Sequence, residues 1–370
     1  METIYRAEVI GSLLRPDYLN EGRAALEAGR MSAVDFKWLE DRAVDEALAL
    51  QERAGVDVVT DGEMRRMIFT QPLTGVLDGV APVGRITLHW RRKEGEVWKE
   101  QQSEPPMFAV VGKIKRKRWL ARDEFEYART RTARPLKVTL AAPTMAMNLW
   151  SPQHSLAAYP ELPALLADAV DLIRGEIREL AALGCKYIQI DAPELTWIAD
   201  EVRLQELAAI HPKLPGWFRN EGLDALNAVA GDVPGVTFGL HMCRGNYQGY
   251  WLSEAPWERL AELIFKRAGN YDIFLLEYDD WRAGSFEPLR ELPPGKVAVL
   301  GLISTKRSAL EPSAEIVARI GEASRFYPRE QLALSAQCGF SPEPSAATLT
   351  PAQQEAKLGL VAQIARQVWR

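Results

Sequence analysis

The sequence of 370 residues is poor in the side chains that bind soft metals or form disulfides, with 3 cysteines and 4 histidines. Two of the cysteines are metal-ligand candidates, so no pair is left for a disulfide, and we expect a reducing compartment. No apolar run is long enough to cross a bilayer, and the N-terminus lacks the basic and apolar regions of a signal peptide. The formal charge of -5 and the pI near 5.7 provide no basic excess for nucleic-acid binding. These absences predict a cytoplasmic globular protein with neither nucleic-acid nor membrane partners.

The scarce ligand residues occupy equivalent positions in the sequence. The candidates that each follow an apolar, β-rich run are His241, Cys243, Glu277 and Cys338. One imidazole, two thiolates and one carboxylate make a complete tetrahedral set for zinc, and sulfur favours Zn²⁺ over Mg²⁺ or Ca²⁺. A single cysteine near a strand is more often a core residue, which is our interpretation of Cys185. The convergence of rare residues at strand ends predicts a zinc site.

Apolar strand-like runs alternate with helix-period segments, which is the pattern of βα units and a parallel sheet. The strand candidates are Arg6–Ile10, Val56–Thr60, Leu136–Ala141, Tyr187–Ile190, Val236–Leu240, Ile273–Leu276, Val297–Leu300 and Leu332–Ser335. Eight βα units that close on themselves form a TIM (β/α)8 barrel, whose active site lies at the C-terminal ends of the strands. A polar or reactive side chain follows every candidate strand. We therefore predict an α/β fold with a single (β/α)8 barrel domain over residues 1–370.

Short segments along nearly the whole chain resemble the catalytic barrel of cobalamin-independent methionine synthase. They are Ile10-Gly-Ser12, Asp61-Gly-Glu63, Gln189-Ile-Asp191-x-Pro193, His241-x-Cys243 and Cys338-Gly339. The resemblance implies zinc-dependent methyl transfer to the sulfur of homocysteine, with zinc held by the four ligands above. It also implies a substrate site, whose residues are Ile10, Gly11, Ser12, Glu63, Asp191 and, for pterin stacking, Trp150.

The residues are suited to the same chemistry without the resemblance. Zinc held by sulfur and imidazole can deprotonate a further thiol and present it to an electrophilic carbon. Glu277 is the hardest of the four ligands, so we expect it to loosen when a substrate sulfur binds. Glu63 and Asp191 are suitable counter-charges for a substrate ammonium group. We predict that both carboxylates act in catalysis by positioning the acceptor.

The chain departs from the resemblance on the side of the methyl donor. It is long enough for one barrel, whereas the folate-dependent enzymes have two. Lys306 stands where the family has a proton-donating histidine, and Trp197 stands where it has a folate-associated glutamate. Lys306 is therefore our candidate proton donor, although its reference pKa differs from that of histidine. The acceptor half of the site matches the family, and the donor half does not.

Other readings of the same residues stay open. The donor could be a methyl-folate or, as in short single-barrel versions of methionine synthase, methylcobalamin. It could also be an epoxide, because epoxyalkane:coenzyme M transferases share the barrel and the zinc motif. A sulfonate thiol such as coenzyme M would need cationic contacts, for which the candidates are Arg65, Arg66, Arg244 and Lys306. A barrel that holds zinc without catalysis is a further alternative. The sequence also leaves a homo-oligomer open.

A long segment between the second and third predicted strands, residues 75–134, exceeds an ordinary barrel loop. Within it, Arg85–Trp90 and Glu96–Glu100 flank a polar turn and predict a β-hairpin. The segment leaves the barrel just beyond Glu63, on the side of the active site. We predict a lid or a subunit contact, whose deletion changes substrate affinity but not zinc content.

Overall fold

The computed structural model describes residues 4–119, 121–343 and 347–369. The strands within them are β1 (Leu77–Arg85), β2 (Leu88–Glu94), β3 (Val97–Ser103), β4 (Pro106–Arg116), β5 (Lys137–Ala141), β6 (Tyr187–Asp191), β7 (Thr237–Met242), β8 (Ile273–Glu277), β9 (Val297–Ile303) and β10 (Leu332–Ala336). Strands β5 to β10 form a six-stranded parallel sheet in the order β10-β9-β8-β7-β6-β5. Their residues are almost all buried, as expected of parallel strands with both faces covered.

Helices precede, connect and follow the strands of this sheet. They are α1 (Asp17–Glu27), α2 (Ala33–Ala54), α3 (Gln71–Thr74), α4 (Ala121–Ala128), α5 (Leu162–Ala182), α6 (Glu201–Ile210), α7 (Leu214–Trp217), α8 (Leu223–Val229), α9 (Trp257–Phe265), α10 (Ser313–Ala323) and α11 (Pro351–Trp369). Helix α2 illustrates how the sequence sets the ends: the Ser32 side chain accepts from Asp35 N, and Gly55 ends the helix at a left-handed φ of 82°. None of the helices in the described ranges combines the length and apolar character needed to cross a membrane.

The prediction of eight regular strands is wrong at the first two, Arg6–Ile10 and Val56–Thr60. These segments form only isolated parallel bridges, Ala7 with Leu334 of β10 and Val59 with Leu136 beside β5. The reason is that the Asp57 side chain accepts backbone N–H groups that would otherwise pair with a neighbouring strand. The Asp57 carboxylate accepts from Arg6 N at 2.8 Å and from Ala7 N at 2.9 Å. A single backbone bond, Asp57 N to Ala7 O at 2.9 Å, joins the two segments directly.

Pairing in register brings the carboxyl ends of the parallel strands to one edge of the sheet. Asp191 pairs with His241 across β6 and β7, and Glu277 pairs with Gly301 across β8 and β9. Side chains that end neighbouring strands are therefore neighbours in space, although long helical connections separate them in sequence. This edge carries the candidate site.

The buried apolar residues form two clusters, one on each face of the sheet. The larger cluster includes Ile188 and Ile190 of β6 and packs against the helices. The smaller cluster includes Tyr187, Ile273 and Ile10. Successive residues of a strand point to opposite faces, so the two clusters sandwich the sheet and hold its edge in place.

Residues 77–116 form two antiparallel pairs before the sheet begins. Strand β1 pairs with β4, and β2 pairs with β3 through a tight turn in which Glu94 faces Val97. Gly95 occupies that turn with φ 58°, a conformation that costs glycine little. The hairpin contacts the loop after β7, because Arg91 and Trp251 exchange two backbone hydrogen bonds of 2.9 Å.

Candidate metal centre

The loop after β7 and the loop after β10 bring two thiols face to face. His241 and Cys243 are two residues apart, and Cys338 follows β10. Cys338 Sγ lies 3.6 Å from Cys243 Sγ. The ligand atoms of His241, Cys243 and Cys338 all lie within 4.8 Å of one another. Three of the four predicted metal ligands are thus brought together.

The geometry of this trio fits zinc. A tetrahedral ion with Zn–S bonds of about 2.3 Å separates two sulfurs by about 3.8 Å, close to the observed distance. His241 Nδ1 lies 3.3 Å from the carbonyl of Leu275, whereas its buried Nε2 has no hydrogen-bond partner in the described part of the chain. A bond from Nδ1–H to that carbonyl leaves the Nε2 lone pair free, which is the usual arrangement of a metal-binding histidine.

The thiol pair is electrostatically prepared to lose a proton. The hydrogen bond from Cys338 and the nearby His241 imidazole lower the pKa of Cys243 to about 5. The same pairing raises the pKa of Cys338 well above its usual value. Burial disfavours a charged imidazole, but the Cys243 sulfur and the Asp191 carboxylate raise the pKa of His241. Thiolate is the form that binds metal.

Glu277, the fourth predicted ligand, has other partners. Its oxygens do not join the group of atoms within 4.8 Å among the described residues. Glu277 Oε2 accepts from Arg244 N at 2.6 Å, and Oε1 accepts from Arg282 Nη2 at 2.7 Å and from Lys306 Nζ at 2.9 Å. Burial by itself would raise the pKa of Glu277, but Lys306 and Arg282 lower it to about 2.

Glu277 belongs to a second cluster of acids, with Asp279 and Asp280. Lys306 Nζ lies 3.0 Å from Asp279 Oδ1 and 3.4 Å from Asp280 Oδ2. Arg282 donates to both oxygens of Asp280. The positive charges that balance these acids thus come from side chains of the protein itself. Burial and Arg282 oppose protonation of Lys306, yet Asp279 and Glu277 raise its pKa, which makes it a weaker proton donor than a free lysine.

The predicted acceptor residues Gly11, Ser12 and Glu63 lie beside the Cys338 loop. A Cβ on Gly11 would stand 2.8 Å from Glu63 Oε1, and a Cβ on Gly339 would collide with Ser12 Oγ. Glu63 Oε1 accepts from Thr139 Oγ1 at 2.8 Å, and its buried Oε2 lacks a hydrogen-bond partner within the described residues. The two glycines permit this close approach.

The backbone of Glu63 is held in a strained conformation. Its φ of 55° lies in the left-handed region, which non-glycine residues rarely adopt. Asp61 Oδ1 accepts from Glu63 N at 2.9 Å, and Arg15 Nη2 donates to Glu63 O at 3.1 Å. Such strain persists where the surroundings over-determine it, often at functional sites. It aims the Glu63 carboxylate towards Gly11.

Asp191 ends β6 directly beside His241. Its Oδ1 accepts from Gln189 Nε2 at 2.7 Å. Burial, reinforced by the nearby Glu63 charge, raises the pKa of Asp191 to about 7 despite the opposing effect of His241. A cationic ligand group between Asp191 and Glu63 would relieve this repulsion.

Two predicted substrate residues, Ile10 and Trp150, are packed against other parts of the protein. Ile10 packs in the smaller apolar cluster. Trp150 is 3% exposed, donates from Nε1 to Tyr159 O at 2.9 Å, and meets His211 and Trp217 edge to face. Its described ring contacts are therefore with the protein.

Sequence reasoning did not single out Glu194 or Arg282. Glu194 is buried, its Oε1 accepts from Thr144 Oγ1, and its Oε2 has no partner in the described ranges. Burial raises the pKa of Glu194 to about 8. The available signal was position along the chain. Glu194 follows the end of β6 by three residues, and Arg282 is two residues beyond the acid pair Asp279-Asp280 that follows β8.

Comparison with known proteins agrees with this geometry. Residues 6–365 match the sequence profile of the cobalamin-independent synthase catalytic domain. The chain is 32% identical over 374 aligned positions to the uncharacterised Bacillus subtilis protein YxjH, covering 99% of the chain and 95% of YxjH. It is 27% identical to the methionine synthase of Pyrococcus abyssi, covering 91% of the chain and 86% of that protein. A B12-independent methionine synthase from a Shewanella species, solved with selenomethionine, has the same fold, with a TM-score of 0.76, 21% identity and coverage of 99% and 98%. The chain belongs to the cobalamin-independent synthase catalytic-domain family.

Proposed function

We propose that the protein is a zinc-dependent methyltransferase that converts homocysteine to methionine. The observation that carries the proposal is the pair of thiols 3.6 Å apart beside His241 Nε2, which has no hydrogen-bond partner among the residues that the structure describes. Zinc bound by His241, Cys243 and Cys338 would hold an acceptor thiol in its nucleophilic, deprotonated form. The family and the methionine synthases among its relatives support this reaction.

The chain's own carboxylates orient the acceptor in this proposal. Asp191 and Glu63 receive the ammonium group of homocysteine, and Ser12 packs against Gly339, the residue after Cys338. Holding the acceptor sulfur at a fixed distance from the methyl group can contribute several kcal/mol, roughly 7 at the low end of measured intramolecular effects. The selenomethionine in the Shewanella structure, a close analogue of methionine, is consistent with an amino-acid site.

The cations near the site argue against a sulfonate acceptor. Arg66 donates to Glu124, Arg65 pairs with Asp41 at 2.6 Å, and Lys306 contacts three carboxylates. Arg244 packs on Trp257, 5.1 Å from the ring centroid, and donates to backbone carbonyls. A sulfonate would have to break the contacts of Arg65, Arg66 and Lys306 with acids, and only Arg244 keeps a buried nitrogen, Nη2, without a partner among the described residues. An ammonium group would meet acids instead. Homocysteine is therefore favoured over coenzyme M.

The contacts and the pKa of Lys306 favour one class of methyl donor over another. A pterin nitrogen leaving from a methyl-folate must gain a proton, and Lys306 was predicted to give it. Its raised pKa and its three carboxylate partners favour a donor whose departure needs no proton, such as methylcobalamin.

We also propose that the six-stranded sheet closes into a (β/α)8 barrel as one domain. The bridges of Ala7 to β10 and of Val59 to the residue before β5 support closure, because they extend the sheet from both edges. Residues 75–134 would then be an excursion that covers the site. Trp90 stacks on Tyr247 with ring centroids 5.1 Å apart, which supports a lid over the metal loop.

The test pairs zinc spectroscopy with an alkyl-transfer assay. X-ray absorption of the zinc-loaded protein is expected to gain one sulfur neighbour when homocysteine is added, and none with coenzyme M. Methyl transfer is then measured with methyltetrahydrofolate, methylcobalamin and a small epoxide. A zinc site that gains no sulfur from either thiol would contradict thiol activation. The alternative, a barrel that holds zinc without catalysis, would then be favoured.

A further inference from the structure

We propose that Glu124, Arg66 and Thr139 are positioning residues that orient the Glu63 carboxylate for the ammonium group of the acceptor. Glu124 lies on α4 and Thr139 lies on β5. This inference rests on the proposed function, in which Glu63 receives that ammonium group, and deepens it. It also makes a helix of the 75–134 segment part of the support of the acceptor site.

The ion pair between Arg66 and Glu124 is buried and uses two nitrogens. Arg66 Nε donates to Glu124 Oε1 at 3.0 Å, and Nη2 donates to Oε2 at 2.6 Å. Burial opposes the charge of Arg66, yet Glu124 and Glu63 raise the pKa of its guanidinium above the usual value. Two parallel hydrogen bonds fix the plane of a guanidinium as well as its place. Glu124 therefore determines where the remaining nitrogen of Arg66, Nη1, lies.

Arg66 is bonded in turn to both polar groups of Thr139 that can accept. Nη1 donates to Thr139 Oγ1 at 3.1 Å, and Nη2 donates to Thr139 O at 2.9 Å. A hydroxyl has one hydrogen, and a guanidinium can only donate. The single hydrogen of Thr139 Oγ1 is therefore directed to Glu63 Oε1, 2.8 Å away. Every hydrogen bond from Arg66 to Glu63 thus has one possible direction.

This network occupies one oxygen of Glu63 and leaves the other available. Oε2 is buried and has no hydrogen-bond partner in the described ranges. Arg66 Nη1 lies 3.8 Å from Oε1, beyond hydrogen-bond distance. Contacts with Asp61 and Arg15 already fix the Glu63 backbone, so its side-chain torsions are the freedom that remains. Because a carboxylate is planar, the bond from Thr139 to Oε1 restricts where Oε2 can lie.

Conservative substitutions test both ends of the network. Thr139→Val keeps the branched shape and removes the hydroxyl, so the Kd of zinc-loaded protein for homocysteine should rise about tenfold. Thr139→Ser should restore it. Glu124→Gln removes the charge that balances Arg66, which should then pair with Glu63 and weaken homocysteine binding to a similar degree. Since both changes act through Glu63, the double variant should bind about as weakly as either single variant.

A second ligand separates positioning from a general loss of structure. 4-Mercaptobutyrate has the thiol and the carboxylate of homocysteine but no ammonium group. Its Kd, measured by the same titration calorimetry, should be unchanged in Thr139→Val and in Glu124→Gln. Glu176→Gln is the matched control, because Glu176 is a buried acid on α5 whose salt bridge, at 3.5 Å, is with Arg116. It should change the Kd of neither ligand.

The outcomes distinguish this inference from the proposed function. With wild-type protein that prefers homocysteine, three results would each overturn the inference alone: equal losses for both ligands, no loss for either, or additive losses in the double variant. Wild-type protein that binds homocysteine no more tightly than 4-mercaptobutyrate would overturn the proposed ammonium site itself. Wild-type protein that binds neither thiol would contradict thiol activation.

Discussion

Two groups of acids lie at the same edge of the sheet and differ in how their charges are balanced. Glu277, Asp279 and Asp280 are compensated by Lys306 and Arg282. On the other side, Glu63 has a buried oxygen without a hydrogen-bond partner in the described part of the chain, and the Asp191 pKa is raised to about 7 by burial and by Glu63. All of these acids are buried except Asp280, whose side chain is 22% exposed. They differ in how closely the protein supplies the counter-ion: Lys306 and Arg282 donate hydrogen bonds to the first group, whereas Arg66 Nη1 lies 3.8 Å from Glu63 Oε1.

The difference in charge balance distinguishes acids that hold the site in place from acids that bind a ligand. A buried charge that is already paired gains little from a ligand, whereas an underpaired acid gains a partner when a cationic group arrives. By this reasoning, we propose that the Glu63 and Asp191 side of the site receives the substrate ammonium, whereas the charges on the Glu277 side are already balanced. At the metal centre, His241 Nε2 has no hydrogen-bond partner among the described residues, and the two thiols pair with each other.

The largest expected effect comes from removing a sulfur between the two groups. Cys243→Ser and Cys338→Ser should each weaken zinc binding more than about 100-fold and abolish methyl transfer, because a serine hydroxyl is a poor ligand for zinc. Zinc per chain, measured by elemental analysis after dialysis, checks this. Cys185→Ser is the control, since this buried thiol donates to the Tyr187 carbonyl at 3.4 Å and does not belong to the candidate metal-ligand group among the described residues. Full zinc content in both ligand variants would exclude the thiol pair as the metal site.

The next effect tests the underpaired acids. Asp191→Asn should raise KM for homocysteine about 30-fold, equivalent to about 2 kcal/mol for a lost buried charge pair, with zinc content unchanged. Steady-state kinetics at saturating donor measures the split between KM and kcat. Asp171→Asn, an exposed position on α5, should change neither. If Asp191→Asn left KM unaltered, the ammonium group would have to bind elsewhere. The proposed functional difference between the two groups of acids would then be wrong.

A smaller effect is expected from the hairpin that we propose as a lid. Replacing residues 88–103 by a short glycine-serine link should change KM for the acceptor by up to about tenfold while zinc content stays intact. The hairpin touches the loop after Cys243 through Trp251, so loss of zinc would show instead that it supports the metal loop. Val97→Ser, at the exposed tip, is the control and should leave KM as it is.

Some of this arrangement could be predicted from sequence, for identifiable reasons. Rare ligand types at the ends of apolar runs predicted the meeting of His241, Cys243 and Cys338, since parallel strands share one edge. The irregular first segments could not be predicted, because Asp57 replaces strand pairing with side-chain bonds to the backbone. The ion pairs of Glu277 with Arg282 and Lys306 were also not predicted. Arg282 is five residues away in sequence, but Lys306 lies in the loop after the next strand. Pairing between loops of different strands has no local sequence signal.

The smallest effect concerns Glu194, an underpaired acid that no predicted role uses. Burial raises its pKa in the folded protein to about 8, above the ordinary value of 4.5. Folding therefore favours the protonated acid, and the associated stability is complete below pH 4.5 and is lost as the pH rises through about 8. Glu194→Gln cannot ionise, so between pH 5 and pH 8 the wild type should lose at least about 1 kcal/mol more free energy of unfolding than the variant. Urea unfolding at both pH values, at equal zinc content, measures the difference. Parallel losses in the two proteins would mean that Glu194 is already ionised at pH 5 and has found a partner, which would move it from the underpaired group to the compensated one.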